Sequence, residues 1–483
     1  MNEEMAKIRL NLTRAGWRLM ILICLAGAGL AQAPSPAPSP PPYQALRYEE
    51  DWSYLSDKTK QTGDLDRLKY IPLNGRGWYL SLGGEARIRY EYFGQFNFGA
   101  GPQDDDGYLL QRYLLHADVH FGKRVRLFTQ LQSAIGSGRN GGPRPTDDDR
   151  LEVHQAFLDL KFGDETNSLT LRVGRHEMDF GSGRLISAGE GLNVRRGFDG
   201  MRVIYRHGPW LINGQVNKLV SIKPGLFNDA PDPSQTFWGV GATRSRPKIR
   251  GGHQFAYIAL DRKAGRFDQG SGRELRHTII ARTYGASDDA VGQLDYNFDT
   301  IFQWGNFRNS GREIGIRAWA LASDLGHSIN RIPLKPRLGL RADATSGDKN
   351  PNDHHLQTFN PLFPGTAYSD TIGLIGAANS LALDPSLRFT IKERVTVNAG
   401  AAFFWRQSTH DGIYGINVAP LRTGKLSRAR YVGSLPSVRL DWRINRHWSY
   451  AFVYSYFKTG RFLRETPPGR DVSYATSWLT FRF

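Results

Sequence analysis

Apolar and polar residues alternate one by one along many separate segments of this 483-residue chain. A period of two is the side-chain period of an extended strand. The segment from Leu80 to Tyr92 is among the clearest: Leu80, Leu82, Gly84, Ala86, Ile88, Tyr90 and Tyr92 alternate with Ser81, Gly83, Glu85, Arg87, Arg89 and Glu91. The C-terminal stretch repeats the pattern, with Ala475, Ser477, Leu479, Phe481 and Phe483 on one row and Tyr474, Thr476, Thr480 and Arg482 on the other. One row suits lipid and the other suits water. The expected fold is all-β: a transmembrane antiparallel up-and-down β-barrel of about 16–18 strands. An edge strand of a soluble sandwich would account for one such segment, but not for a series of them.

The N-terminus carries an export signal. Lys7, Arg9, Arg14 and Arg18 form a basic region, Leu19 to Leu30 an apolar stretch too short to span a bilayer, and Ala31-Gln32-Ala33 a small-residue cleavage site. The lone cysteine, Cys24, falls inside this signal and is expected to be discarded, which leaves no thiol for a disulfide or a metal. The expected organisation is therefore a signal peptide over 1–33, a Pro-rich spacer and periplasmic N-terminal segment over 34–76, and a barrel over 77–483. Trp52, Tyr54, Leu55 and Tyr70 suit a segment that tucks against or into the barrel mouth. No later run is long and apolar enough for a membrane helix, so membrane residence has to be as a barrel.

Short and long connections are expected to alternate, as in a barrel with periplasmic turns and extracellular loops. Long loops are expected at 94–107, 137–149, 174–200, 408–429 and 460–470, and tight turns at Gly122-Lys123, Gly163 to Ser168, His207-Gly208-Pro209, Lys392-Glu393-Arg394 and Asn445-Arg446. The stretches 221–290 and 346–384 do not resolve into strands by alternation alone. Both ends of the barrel sequence then fall on one side, as an even strand count requires.

The net charge of +17 drops to +15 once the signal removes four basic and two acidic residues. Nucleic acid is the first partner such a charge suggests. Here the arginines stand singly on strand faces, with no basic run and no nucleic-acid fold signature, so a basic lumen that conducts anions is the reading adopted. No enzyme signature is present: Gly181-Ser182-Gly183 lacks the spacing of a hydrolase nucleophile elbow, and His176-Glu177 lacks the second histidine of a zincin. No cofactor is expected. Asp353-His354-His355 is read as a solvated loop. The triplets Asp104 to Asp106 and Asp147 to Asp149 suit either solvated runs or divalent-ion bridges to lipopolysaccharide.

The segment 172–206 holds seven arginines, Arg172, Arg175, Arg184, Arg195, Arg196, Arg202 and Arg206, against Glu177, Asp179, Glu190 and Asp199. A loop of this length is usually functional. It either stays outside or folds inward, where it would narrow the pore and present guanidinium groups to carboxylates. Paired acids would orient those arginines and weaken binding enough for release.

The run Leu171 to Val203, LRVGRHEMDFGSGRLISAGEGLNVRRGFDGMRV, resembles the alginate export family of outer-membrane porins. So do EDWSYL from Glu50, KYIPL from Lys69 and LGGEARIRYE from Leu82. The resemblance implies an eighteen-stranded monomeric barrel in the outer membrane, with an arginine-lined constriction that passes an anionic polysaccharide or oligosaccharide. It places Arg87, Arg89, Arg175, Arg184, Arg195, Arg196 and Arg202 along the path, with Glu85, Asp179, Glu190 and Asp199 beside them. Outer-membrane lipid, lipopolysaccharide and periplasmic export proteins are the further partners it suggests. A small-anion or nutrient-specific uptake porin shares every one of these residues.

Overall fold

The structure is a computed structural model that describes residues 43–75, 77–289, 291–365 and 372–483. The signal over 1–33 and the Pro-rich run over 34–42 lie outside the described residues.

Eighteen antiparallel strands form one closed barrel. In chain order they are β1 (Tyr79–Gly94), β2 (Asp104–Phe121), β3 (Val125–Ser137), β4 (Asp149–Gly163), β5 (Asn167–His176), β6 (Phe198–His207), β7 (Trp210–Ser221), β8 (Gln235–Arg246) and β9 (Gly251–Phe267). The circuit continues through β10 (Gly270–Asp288), β11 (Gln293–Asn309), β12 (Arg312–Ser328), β13 (Arg337–Thr345), β14 (Ser380–Ile391), β15 (Val395–Arg406), β16 (Tyr431–Arg443), β17 (Trp448–Thr459) and β18 (Val472–Arg482). Each strand pairs with its chain neighbours, and β18 returns to β1 with Arg482 opposite Glu85 and Ser477 opposite Tyr90. Closure satisfies every edge, which a lipid-exposed sheet requires.

Alternation along the strands sets the two faces. Leu115 and Phe255 point outward with 54% and 63% of their surface exposed, and Ile88, Phe302 and Leu321 join them. An apolar belt of this extent belongs in lipid. Among the described residues no helix is long and apolar enough to cross a membrane, so the crossing is by strands.

The two ends of the barrel differ. One carries the short connections, such as 122–124, 208–209 and 392–394, together with Tyr43 to Gly75 and Phe483. The other carries the long loops 177–197, 346–379 and 407–430. Two connections at the long-loop end break the expected alternation: only Asp268-Gln269 joins β9 to β10, and only Ser310-Gly311 joins β11 to β12. Gly311 adopts a φ of +81 in that two-residue turn, a conformation that favours glycine. Strand β2 also starts at Asp104, so the first acidic triplet belongs to a strand rather than to a loop.

Segment 43–75 enters the barrel from the short-turn end. The Tyr48 ring packs edge-on against Phe128 and Phe157 of the inner wall, and its hydroxyl donates to the Glu177 carbonyl at 2.9 Å. Arg47 donates to the carbonyls of Gly84 and Phe483 at 3.0 and 2.7 Å, which ties the segment to both strands of the closing seam. Lys69 is fully buried, with its ammonium over the rings of Tyr43, Trp52 and Phe483. Burial pushes its pKa down to about 7, and the neighbouring Arg47 charge acts in the same direction.

Candidate functional site

The inner faces of β8 to β12 are largely apolar. Phe237, Ala256, Ile258, Ile280, Ile301, Ala318 and Ala320 pack against Phe180, Leu185 and Ile186 of the 177–197 loop and against Phe359 and Phe363 of the 346–379 loop. This half of the lumen is filled by a dry core. The two loops are stitched together there, since Ser187 N–H donates to the Phe363 carbonyl and Phe363 N–H to the Leu185 carbonyl. Polar residues in the same half are paired: Glu274 holds Arg276 and Arg262 at 2.5 and 2.6 Å, and Gln303 donates to the Asn360 carbonyl at 2.7 Å. Loop 407–430 closes the top. Its Asp411 carboxylate accepts from Thr358 at 2.6 Å and from the Tyr414 hydroxyl at 2.5 Å.

The 177–197 loop crosses from this packed side to the opposite wall, where three guanidinium groups grip three consecutive carbonyls. Arg87 donates to Glu190 O and Leu192 O at 3.0 and 2.7 Å, Arg89 to Gly191 O at 2.7 Å, and Arg112 to Leu192 O at 2.9 Å. The loop therefore runs inside the barrel and divides the lumen.

On the far side of residues 190–193 lies a cavity of about 730 Å³, bounded by β1 and β16 to β18. It reaches from Glu393 and Arg394 at the short-turn end to Ile416 and Arg144 at the long-loop end. Seven arginines border it, Arg87, Arg89, Arg144, Arg394, Arg439, Arg443 and Arg482, against five carboxylates, Glu91, Asp147, Glu190, Glu393 and Asp441. Trp478 stands in its wall with Arg89 and Arg439 each 5.3 Å from its ring. Such a surface offers bidentate donors for carboxylates beside an aromatic face.

Of the residues singled out in the sequence, Arg87, Arg89 and Glu190 border this cavity. Glu85 lies behind them, buried between Arg112 and Arg482 at 2.6 and 2.8 Å. Arg195 is buried in contact with Glu177 and Glu190. Arg184 reaches the wall at β11 and β13, 3.1 Å from Asp299 and 2.9 Å from Asp343, and Arg196 donates to the Ser187 and Phe363 carbonyls at 2.6 and 2.8 Å. Those two arginines hold the loop in the filled half. Asp179 is an exposed cap that accepts the Ala188 N–H at 2.8 Å. Arg202 points inward near Asn213 at 3.4 Å, under the N-terminal segment. Arg175 and Asp199 correct the expectation most sharply: both fall on outward rows, paired at 2.9 Å, with Arg175 also donating to the Asp229 carbonyl. Strand parity is the reason, because Arg172 and Phe198, an odd number of residues from Arg175 and Asp199 along their strands, take the lumen side.

The sequence reading missed Arg144, Arg394, Arg439, Arg443 and Arg482, which border the cavity, and Arg112 behind it. The signal was present in the inner parity of β16, where Arg439, Asp441 and Arg443 share a row, and in Arg482 on the watery row of β18. Within the acidic triplets, Asp104 and Asp147 are both paired to Arg139, at 3.2 and 2.9 Å.

The fold is similar to known barrels. The crystal structure of Pseudomonas aeruginosa OccK2 (OpdF) in complex with glucuronate superposes with a TM-score of 0.56 at 9% identity, covering 84% of this chain and 96% of that one. OccK11 (OpdR) from the same organism gives 0.55 at 11% identity, covering 86% and 97%. P. aeruginosa OpdK with vanillate gives 0.54 at 9% identity, covering 83% and 98%. At these identities the likeness is one of fold. No curated relative matches the sequence. The alginate export family model matches residues 78–476, which is the barrel from its first strand into its last, and so this chain belongs to the alginate export family of outer-membrane β-barrel channels.

Proposed function

We propose that the channel selects anions and passes an acidic oligosaccharide or polysaccharide of the alginate type along the arginine-bordered cavity. The observation that carries this is the lining: seven guanidinium groups against five carboxylates, with Trp478 placed among them as a stacking face for a sugar ring. Fixed positive charge in a narrow path attracts anions over about a Debye length, roughly 8 Å at physiological salt. In this reading the short-turn end faces the periplasm, and a single chain provides the whole path because the strand ladder closes within it.

The volume left open favours a second reading. A space of about 730 Å³ is the size of a small-ligand pocket, which suits uptake of a small carboxylate or short oligosaccharide. OccK2 and OpdK, which share only the fold, were solved with glucuronate and vanillate, both carboxylates.

Reversal potentials across a salt gradient in planar bilayers test the shared claim. The wild type should be anion-selective, and replacing Arg394, Arg439 and Arg443 together by Ala should lower the anion-to-cation permeability ratio. A cation-selective wild type would refute it. Block by long uronate polymers, against block by monomers alone, separates the two substrate sizes.

A further inference from the structure

We infer that Glu190 is a tethered occupant of the channel's own anion site, displaced by the carboxylate of a passing substrate. The inference rests on the acidic-saccharide reading and names the place where the carboxylate is held.

Glu190 directs one carboxylate oxygen to Arg112 and Arg482, at 3.0 and 3.1 Å, and the other to Arg195. Each of these guanidinium groups has a second carboxylate. Arg112 and Arg482 share Glu85, at 2.6 and 2.8 Å, and Arg195 contacts Glu177. Glu85 and Glu177 have side chains only 2% and 1% exposed, whereas that of Glu190 is 42% exposed. Two carboxylates are thus built into the wall and hold the arginines in place. The third faces the cavity, and its departure leaves each of the three guanidinium groups paired with a carboxylate of the wall.

The backbone is arranged for the same movement. Arg87, Arg89 and Arg112 pin the carbonyls of residues 190 to 192, so the loop stays anchored while the side chain is free to swing. Gly189 and Gly191 flank the residue, and Gly189 adopts a φ of +72. Arg112 and Arg195 do not border the cavity, but Glu190 does. Its departure uncovers two guanidinium groups already spaced for a pair of oxygens. A sugar carboxylate has the same two-oxygen geometry and fits the same donors. A competitor that holds a site about nine-tenths of the time weakens apparent binding about tenfold, which keeps a strongly basic path from trapping its cargo.

Glu190→Gln and Glu190→Ala test this in planar bilayers, with galacturonate hexamer as the blocker and maltohexaose as the neutral control. Heat-modifiable gel migration reports folding of each variant. Both variants should be blocked at about tenfold lower hexamer concentration with longer blocked times, and maltohexaose should behave as in the wild type. Unchanged block in a wild-type-like, anion-selective channel would overturn the role of Glu190 and leave the acidic-saccharide reading standing. Weaker block in a folded variant would also overturn it, by showing that Glu190 positions the arginines rather than competing for them. A wild type neither anion-selective nor blocked would remove both. If Glu190→Ala does not fold, the isosteric Glu190→Gln decides alone.

Discussion

The two halves of the lumen are built on the same ladder and end in opposite states. Along β8 to β12 the inner rows carry Phe237, Ile258, Ile280, Ile301 and Ala320, and loops with matching apolar residues have folded in and sealed the space. Along β16 to β18 and β1 the inner rows are apolar toward the long-loop end, where Phe93, Leu435, Val453, Phe457 and Val472 pack against Phe462 and Leu463. Below that they carry Arg439, Asp441, Thr476, Thr480, Arg482, Arg87 and Arg89, and the cavity of about 730 Å³ remains there. Strand pairing fixes the wall in both cases. The inner row and the loop that meets it together decide what fills the interior, because apolar inner residues gain by excluding water, whereas charged ones lose by it unless they are paired. The loop arginines divide accordingly: Arg184 and Arg196 are structural anchors on the filled side, Arg195 is buried against Glu177 and Glu190, and Arg144 borders the cavity.

The largest expected effect comes from breaking the filled half. Ile186→Asp places an unpaired carboxylate in the dry cluster at ~3 kcal/mol or more, and Phe363→Ala opens a void at about 3 kcal/mol. Either should loosen the loop and raise single-channel conductance several-fold while the ladder, read by heat-modifiable migration, survives. Unchanged conductance would mean that the seal does not limit the pore.

A smaller effect separates the arginines of the two halves. Arg439→Ala should lower anion selectivity in reversal-potential measurements, whereas Arg184→Ala should leave selectivity alone and lower the unfolding temperature, since it removes the guanidinium group that ties the packed loop to Asp299 and Asp343. Equal selectivity losses in the two variants would erase the distinction between the halves.

Acidity should act on the loop seal. Burial raises the carboxyls of Asp348 and Asp411 to about 7 and about 6, with neighbouring aspartates adding to the rise. Their protonated forms are therefore favoured in the closed arrangement. That stabilisation is complete below about pH 4 and is lost as pH rises through 6 to 7. Amide hydrogen exchange over 346–365 and 407–430, corrected for intrinsic rates, should show less protection at pH 8 than at pH 5.

The N-terminal segment should respond in the opposite sense, and least. Lys69 is held near 7 when docked against an ordinary value of 10.5, so the undocked segment binds the extra proton between those limits. Docking is weakest at and below about pH 7 and strengthens toward pH 10. Limited proteolysis within 43–75 should slow over that range, and Lys69→Met should abolish the dependence. A segment cleaved equally at both pH values would show that Lys69 titrates as an exposed group.

Much of the wall was legible beforehand. Period-two alternation marked β1, β11 and β18 with the correct faces, because a strand between lipid and water must alternate. It failed over 221–290, where β9 carries Ala256, Ile258 and Leu260 inward and Phe255, Tyr257 and Ala259 outward. A strand apolar on both faces has no period to read. The arginine-rich loop was legible as important, but its two destinations were not, since a guanidinium group in sequence does not reveal which carboxylate it will meet.

The sequence by itself thus determined the barrel, its lipid face and the basic character of its interior, all of which follow from local alternation and composition. Only the tertiary structure decided that Arg175 faces outward, that Arg184 anchors a seal, and that Arg439 and Arg443 line the path. Those outcomes depend on the register of distant strands and on loops packing across the lumen, contacts that bring residues hundreds of positions apart to within hydrogen-bond reach.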